Sequence, residues 1–176
     1  MGTQRPSVTV LRLNHRRGRD ARITSHCGLV ARAMGATDIA IAGEKDENAL
    51  ESINDVVERW GGDFTARHES SPLKLMKDWE GKVVHLTMYG LPAQDVAPAL
   101  TGTDEPLLLV IGGSKVRREV YDIADHNVAV TGQPHSEVAA LAIFLHLLYG
   151  EGALSLEFPG PMRIVPTEHG KVIIDD

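Results

Sequence analysis

The sequence predicts an α/β domain built around a mainly parallel sheet, and three observations carry that expectation. Strand-like and helix-like stretches alternate about six times, the pattern of successive β-α units. The run PLLLVIGG at 106–113 is apolar without alternation, as in a strand covered on both faces. The stretch 126–149, HNVAVTGQPHSEVAALAIFLHLLY, passes from a short apolar strand through a Gly-Gln-Pro turn directly into a long helix.

Taken in order, VTVLRLN reads as the first strand, followed by a basic loop, HRRGRDAR. A helix then runs through ITSHCGLVARAM to Gly35, which suits the left-handed position after a helix end. DIAIAG is a short buried strand, and Asp46 caps a helix whose stripe is Leu50, Ile53, Val57 and Trp60, ended by Gly61-Gly62. FTARHE is the third strand. Ser71 is placed to cap a helix that opens on Pro72, runs through PLKLMKDWE and closes at Gly81. KVVHLTM is the next strand, PAQDVAPAL a short helix, and SKVRREVYDIA a helix of about two turns after the apolar strand.

The organising helix begins well. Pro134 needs no ladder partner, Ser136 or His135 can cap, and Glu137 complements the positive helix end. Leu141, Leu145 and Leu148 form an apolar row widened by Val138, Ala142 and Phe144, so most of its circumference is expected to be buried in core and interface. Past Gly150, prolines and the short runs RIVP and KVIID about TEHG predict a hairpin, dividing the chain into a main domain, 1–150, and an extension, 151–176.

The net charge is -6, yet residues 1–32 hold seven arginines against Asp20, a local balance of +6 on a body of -12. That asymmetry is the footprint of a site that meets phosphate, against the blander reading of a solvated loop. A single cysteine, Cys27, excludes an internal disulfide and a cysteine-based zinc site and is expected to be buried. The histidines lack zinc-binding spacing, so no metal is expected, and His85 and His146 read as ordinary partly buried residues. No run looks long enough to span a membrane and no signal peptide is evident, which points to a cytoplasmic protein.

Three strand ends carry small or polar residues, LTMYG, GGSKV and VTGQPHSE, and together they outline one pocket. None has the glycine spacing of an NAD or ATP motif. His135, Ser136 and Glu137 are consecutive and so cannot be a hydrolytic triad, whose members converge from separate positions.

The set HRRGRDARITSH, HLTMYG, VIGGSKV with EVYDIAD, and HNVAV followed by QPHSEVAALA spans residues 11–149 and resembles, in the right order, the archaeal tRNA (cytidine-56) 2′-O-methyltransferases of the SPOUT class. The resemblance implies a SPOUT-type knotted fold, with the C-terminal part of the chain threaded through a loop. It implies S-adenosyl-L-methionine bound by Leu86, by Gly112, Gly113, Ser114, Lys115 and Val116, and by Val130, Thr131, Gly132, Gln133, Pro134, His135, Ser136 and Glu137. It also implies a homodimer through the helix 135–149, and tRNA as the macromolecular partner. Arg16, Arg17 and Arg19 are the RNA-binding candidates of the basic stretch. Arg22, with Arg19 second, is the candidate for orienting the ribose, a catalytic role assigned by neighbourhood to an arginine near the start of the first helix. The chain departs from the family pattern at Arg117, where proline is usual, at Thr131-Gly132, where Gly-Asn is usual, and at Ser25 and Cys27. Two other readings stay open: a catalytically silent RNA-binding module on the same fold, and a small-molecule α/β enzyme.

Overall fold

A computed structural model describes residues 5–113 and 115–175. Six strands, β1 (Val8–His15), β2 (Asp38–Gly43), β3 (Thr65–Glu69), β4 (Lys82–Pro92), β5 (Leu107–Gly112) and β6 (His126–Ala129), form one sheet in the order β3-β2-β1-β5-β4-β6. Every neighbouring pair is parallel, as the alternation of elements requires.

Period-two alternation sorts the two faces. On one, Val10, Ile39, Leu86 and Leu109 pack against α1 (Arg17–Ala33), α2 (Glu47–Trp60), α4 (Ala93–Leu100) and α6 (Glu137–Tyr149). On the other, Leu11, Ala40, Val83 and Val110 meet Met76 of α3 (Pro72–Lys77) and Val120 of α5 (Arg118–Ile123). β5 is fully buried from Leu107 to Ile111, which accounts for its unbroken apolar run.

Several helix boundaries differ from those read from sequence. The basic stretch is not a loop: α1 begins at Arg17, so Arg17, Arg19 and Arg22 all lie on its first turns. Asp20 makes this early start favourable, accepting from the Arg16 backbone N–H at 3.1 Å and complementing the helix end. Asp46 caps α2 as expected, accepting from Ala49 N–H at 3.2 Å, and Ser136 caps α6 from Val138 N–H at 3.1 Å. Ser71 makes no such bond before α3, where Pro72 supplies the helical φ instead. The expected two-turn helix at 114–124 shortens to α5, beginning after Arg117.

β4 is longer than its apolar pattern. It pairs with β6 at Val84–Leu86, leaves the ladder, and pairs again at Leu91 and Pro92. The re-entry needs glycine: a Cβ on Gly90 would stand 2.3 Å from Val128 N and 2.4 Å from Asn127 C. The excursion places Thr87, Met88 and Tyr89 at the C-terminal edge of the sheet, in the wall of a cleft at the neighbouring strand ends.

In α6, Leu141, Phe144, Leu145 and Leu148 are buried within the subunit, whereas Ile143 and Leu147 face outward at 47% and 38% exposure. Against expectation, Glu137–Ser155 is long and apolar enough to cross a membrane. The cause is that α6 carries core residues on one side and leucine and isoleucine on the other. After a 3₁₀ turn (Gly150–Ser155), β7 (Met162–Val165) and β8 (Val172–Asp175) form an antiparallel hairpin apart from the main sheet.

Candidate functional site

A cleft of about 400 Å³ opens at the C-terminal ends of β4 and β5, where an open parallel sheet holds its ligands. The structure brings together Leu86, Gly112, Gly113, Lys115, Val116, Pro134, His135 and Glu137 from the three predicted strand ends. Gly113 leaves its wall open, with no atom within 4 Å of where a Cβ would stand, while a Cβ on Gly112 would meet Val116 Cγ2 at 2.8 Å. Lys115 adopts φ +68, a left-handed backbone that turns the loop away from β5.

Other predicted residues lie elsewhere. Val130 packs on the core, and Thr131, Gly132 and Gln133 form an exposed turn pinned by Gln133 N–H donating to Thr131 Oγ1 at 3.3 Å. Ser136 faces a different groove from its neighbour Glu137. Ser114 lies outside the described residues.

A second cleft adjoins the first through Gly113 and Lys115 and is lined by Asn14, His15, Arg16 and Asp20. Arg16 is committed there: Nε donates to Asp20 Oδ2 at 2.9 Å and Nη2 to Oδ1 at 3.2 Å. These hydrogen bonds hold the Asp20 carboxyl below the usual carboxylate range. Arg19 and Arg22 share a third groove with Ile23, His26, Ser136 and Val138, between the N-terminal parts of α1 and α6. Their side chains, and that of Arg17, form no ion pair among the described residues, leaving three cations on the first turns of α1.

Sequence reasoning passed over three polar groups beneath these clefts. Arg12, in the middle of an apolar strand, is 1% exposed; its Nη2 donates to Glu137 Oε1 at 2.9 Å and its Nη1 to Leu13 O at 3.3 Å. Glu137 Oε2 is buried without a partner at the cleft wall. Nearby Cys27 is buried as expected, its thiol pushed up to about 12 by burial and then by Glu137.

The second group is a buried chain, Asp46–His15–Thr24, that ties α2, β1 and α1 together. His15 Nε2 lies 3.1 Å from Asp46 Oδ2 and Nδ1 lies 2.7 Å from Thr24 Oγ1. It fixes the end of β1 under the second cleft. The third is His85, almost fully buried where partial burial was expected, which lines the first cleft: its Nδ1 lies 2.9 Å from Asn127 Oδ1 and its ring meets Tyr121 edge-on at 4.7 Å. The available signal was a charged or polar residue interrupting an apolar strand, Arg12 in VTVLRLN and His85 in KVVHLTM. No group of acidic, histidine or cysteine residues able to hold a metal occurs among the described residues.

Residues 60–174 match the family model described as tRNA ribose 2′-O-methyltransferase, aTrm56. The chain is 51% identical over 172 residues, 96% of each chain, to a protein of Methanopyrus kandleri named tRNA (cytidine(56)-2′-O)-methyltransferase. Among solved structures it superposes on the TrmH/SpoU tRNA modifying enzyme of A. aeolicus with TM-score 0.59 at 14% identity, over 87% of this chain and 81% of that one. It superposes on the SpoU methyltransferase AviRb of Streptomyces viridochromogenes, solved with the cofactor AdoMet, with TM-score 0.60 at 18% identity, over 82% of this chain and 57% of that one. The distant structures carry the fold, and the close relative and the family model carry the kinship: this chain belongs to the tRNA ribose 2′-O-methyltransferase family.

Proposed function

We propose that the protein is an S-adenosyl-L-methionine-dependent methyltransferase acting on the ribose 2′-hydroxyl of cytidine 56 in tRNA. The observation that carries this reading is the 51% identity across nearly the whole of both chains to a protein named for that reaction. The described residues fit the cofactor: the cleft of about 400 Å³ falls in the range of small-molecule sites, about 300–1,000 Å³. It offers an open glycine wall at Gly113 and one buried carboxylate oxygen, Glu137 Oε2, still lacking a partner.

When bound, S-adenosyl-L-methionine supplies an electrophilic methyl group with a good leaving group. The chain's own task is then positioning. Lys115 sits where the two clefts join, so a ribose approaching from the arginine-rich side meets the cofactor cleft there. Arg17 and Arg19, which form no ion pair among the described residues, supply guanidinium groups for backbone phosphates, and we assign Arg22, which lines the separate groove beside the α6 N-terminus, to orienting the target ribose. A guanidinium is a fork of donors with no acceptor, so Arg22 holds the ribose rather than taking its proton.

We assign the knot of the SPOUT class to the threading of the segment after β6 and place the main domain at 1–150, with 151–176 as its extension. The outward Ile143 and Leu147 support a homodimer through α6, since such a face on a core helix is otherwise left in water. The protein is assigned to the cytoplasm with its tRNA substrate.

The test is transfer of tritiated methyl from S-adenosyl-L-methionine to unmodified tRNA, with a transcript carrying 2′-deoxycytidine at position 56 as control. Transfer to the first and not the second is the expected result. Tight RNA binding without transfer would instead mark a silent binding module.

A further inference from the structure

The hydrogen bonds around His85 determine which of its ring nitrogens carries a lone pair. Asn127 Nδ2 donates to the Tyr121 carbonyl at 3.0 Å, and a carbonyl can only accept, so the amide nitrogen must face Tyr121. The Asn127 oxygen therefore faces His85 Nδ1 at 2.9 Å, and Nδ1 must be the donor. Burial lowers the pKa of His85 below its ordinary value, which keeps the ring neutral at physiological pH. Nε2 is then a hydrogen-bond acceptor on a residue that lines the cleft.

The surroundings select the donor. The arginine-bearing cleft lies at the ends of β1 and β2 and meets the first cleft at Lys115, whereas His85 is on β4, beyond β5, on the face covered by α5. A group reaching His85 belongs to the end of the cofactor remote from RNA. That side of the cleft is flanked by Val116 and the Tyr121 ring, and two of its hydroxyls, Thr87 Oγ1 and Tyr121 Oη, already bond each other at 3.2 Å. Such walls suit a flat heterocycle better than the charged amino-acid end.

Resting on the cofactor reading above, we propose that His85 is a specificity-determining residue whose Nε2 accepts a hydrogen bond from the 6-amino group of the cofactor's adenine. Asn127 and Tyr121 act through it, as positioning residues that fix its tautomer and ring plane. A 6-oxo purine would present an acceptor to this lone pair and be rejected.

The test is calorimetric binding of S-adenosylhomocysteine and S-inosylhomocysteine to the full chain. The wild type should prefer the adenine form by about tenfold or more, the scale of a mismatched buried polar group. His85→Phe keeps a ring against Tyr121 but no acceptor, and should bring the two affinities together. His85→Gln, which can donate to Asn127 and still offer an oxygen, should restore part of the preference. Equal affinities in the wild type, or an undiminished preference in His85→Phe, would overturn the assignment while leaving the cofactor reading standing. Failure of the wild type to bind either compound would remove the cofactor reading and this inference together.

Discussion

Arg12 Nη2 lies 2.9 Å from Glu137 Oε1, and this one contact fastens the N-terminus of α6 to β1 in the middle of the sheet, directly beside the cleft at the ends of β4 and β5. Both side chains are nearly withdrawn from water, at 2% and 12% exposure. Desolvation opposes such a pair, so its value to stability is small compared with the cost of breaking it.

Arg12→Met should therefore destabilise the fold by about 3 kcal/mol, because it strands the Glu137 carboxylate. The double replacement Arg12→Met with Glu137→Leu should recover most of that stability in urea denaturation. Cofactor binding should not return with it. A double variant as unstable as the single one would mean that the pair contributes more than it costs to bury.

The Asp46–His15–Thr24 chain makes a prediction about acid stability. Burial alone would raise the Asp46 pKa, but the hydrogen bond from His15 and the cap to Ala49 N–H reverse it, and the net shift is downward. A carboxyl whose folded pKa lies below its unfolded value stabilises the fold above the unfolded pKa, about 3.9, and loses that contribution as pH falls through the folded pKa. Asp46→Asn should be less stable than wild type at pH 7, with the gap narrowing below about pH 4. Unfolding free energies measured across that range would show a constant gap if the shift were not the cause.

The arginines of α1 divide by their partners. Arg16 is tied to Asp20 by both oxygens, whereas Arg17 and Arg19 are exposed and form no ion pair among the described residues. Arg17→Ala with Arg19→Ala should weaken tRNA binding and lower the salt slope by somewhat less than one unit, about 0.7–0.9, for each phosphate that is no longer neutralised. S-adenosylhomocysteine affinity should stay at the wild-type value. Salt-titrated filter binding that finds an unchanged slope would turn the patch into a solvated surface.

Gly90 allows the backbone of β4 to return to its ladder with β6. Gly90→Ala drives a Cβ into Val128 N and Asn127, and backbone on both sides leaves little room to yield. A loss of about 2 kcal/mol is expected, together with weaker cofactor binding because the 87–89 excursion forms part of the cleft. Gly18→Ala, where a Cβ meets no atom within 4 Å and the φ is not positive, is the control without a clash.

Assembly is best probed at Ile143 and Leu147. Glutamate at Phe144 or Leu148 would place a charge in the subunit's own core, since these are 0% and 2% exposed, and would report on folding. Ile143→Glu with Leu147→Glu should leave the subunit folded and shift its hydrodynamic mass from dimer to monomer. A dimer that survives both changes would place the interface elsewhere.

The sequence by itself determined the alternation of elements, the cap at Asp46, the unbroken apolar β5, the terminal hairpin and the three strand-end turns. Each is a local property: periodicity, a capping side chain or a glycine acts within a few residues of itself. Family membership was legible for the same reason, as motifs in order along the chain. Tertiary structure decided what depends on residues far apart. Whether Arg12 is a misplaced surface charge or an anchor depends on Glu137, and the tautomer of His85 depends on Asn127 and on a carbonyl of Tyr121. The first turns of α1 likewise looked like a loop, because glycine and aspartate within HRRGRDAR have poor helix propensity. The folded chain overrides that propensity with the Asp20 bond to Arg16 N–H and with packing of Thr24 and Cys27 beneath the same helix. Propensity is worth at most about 1 kcal/mol per residue here, and a buried face outweighs it.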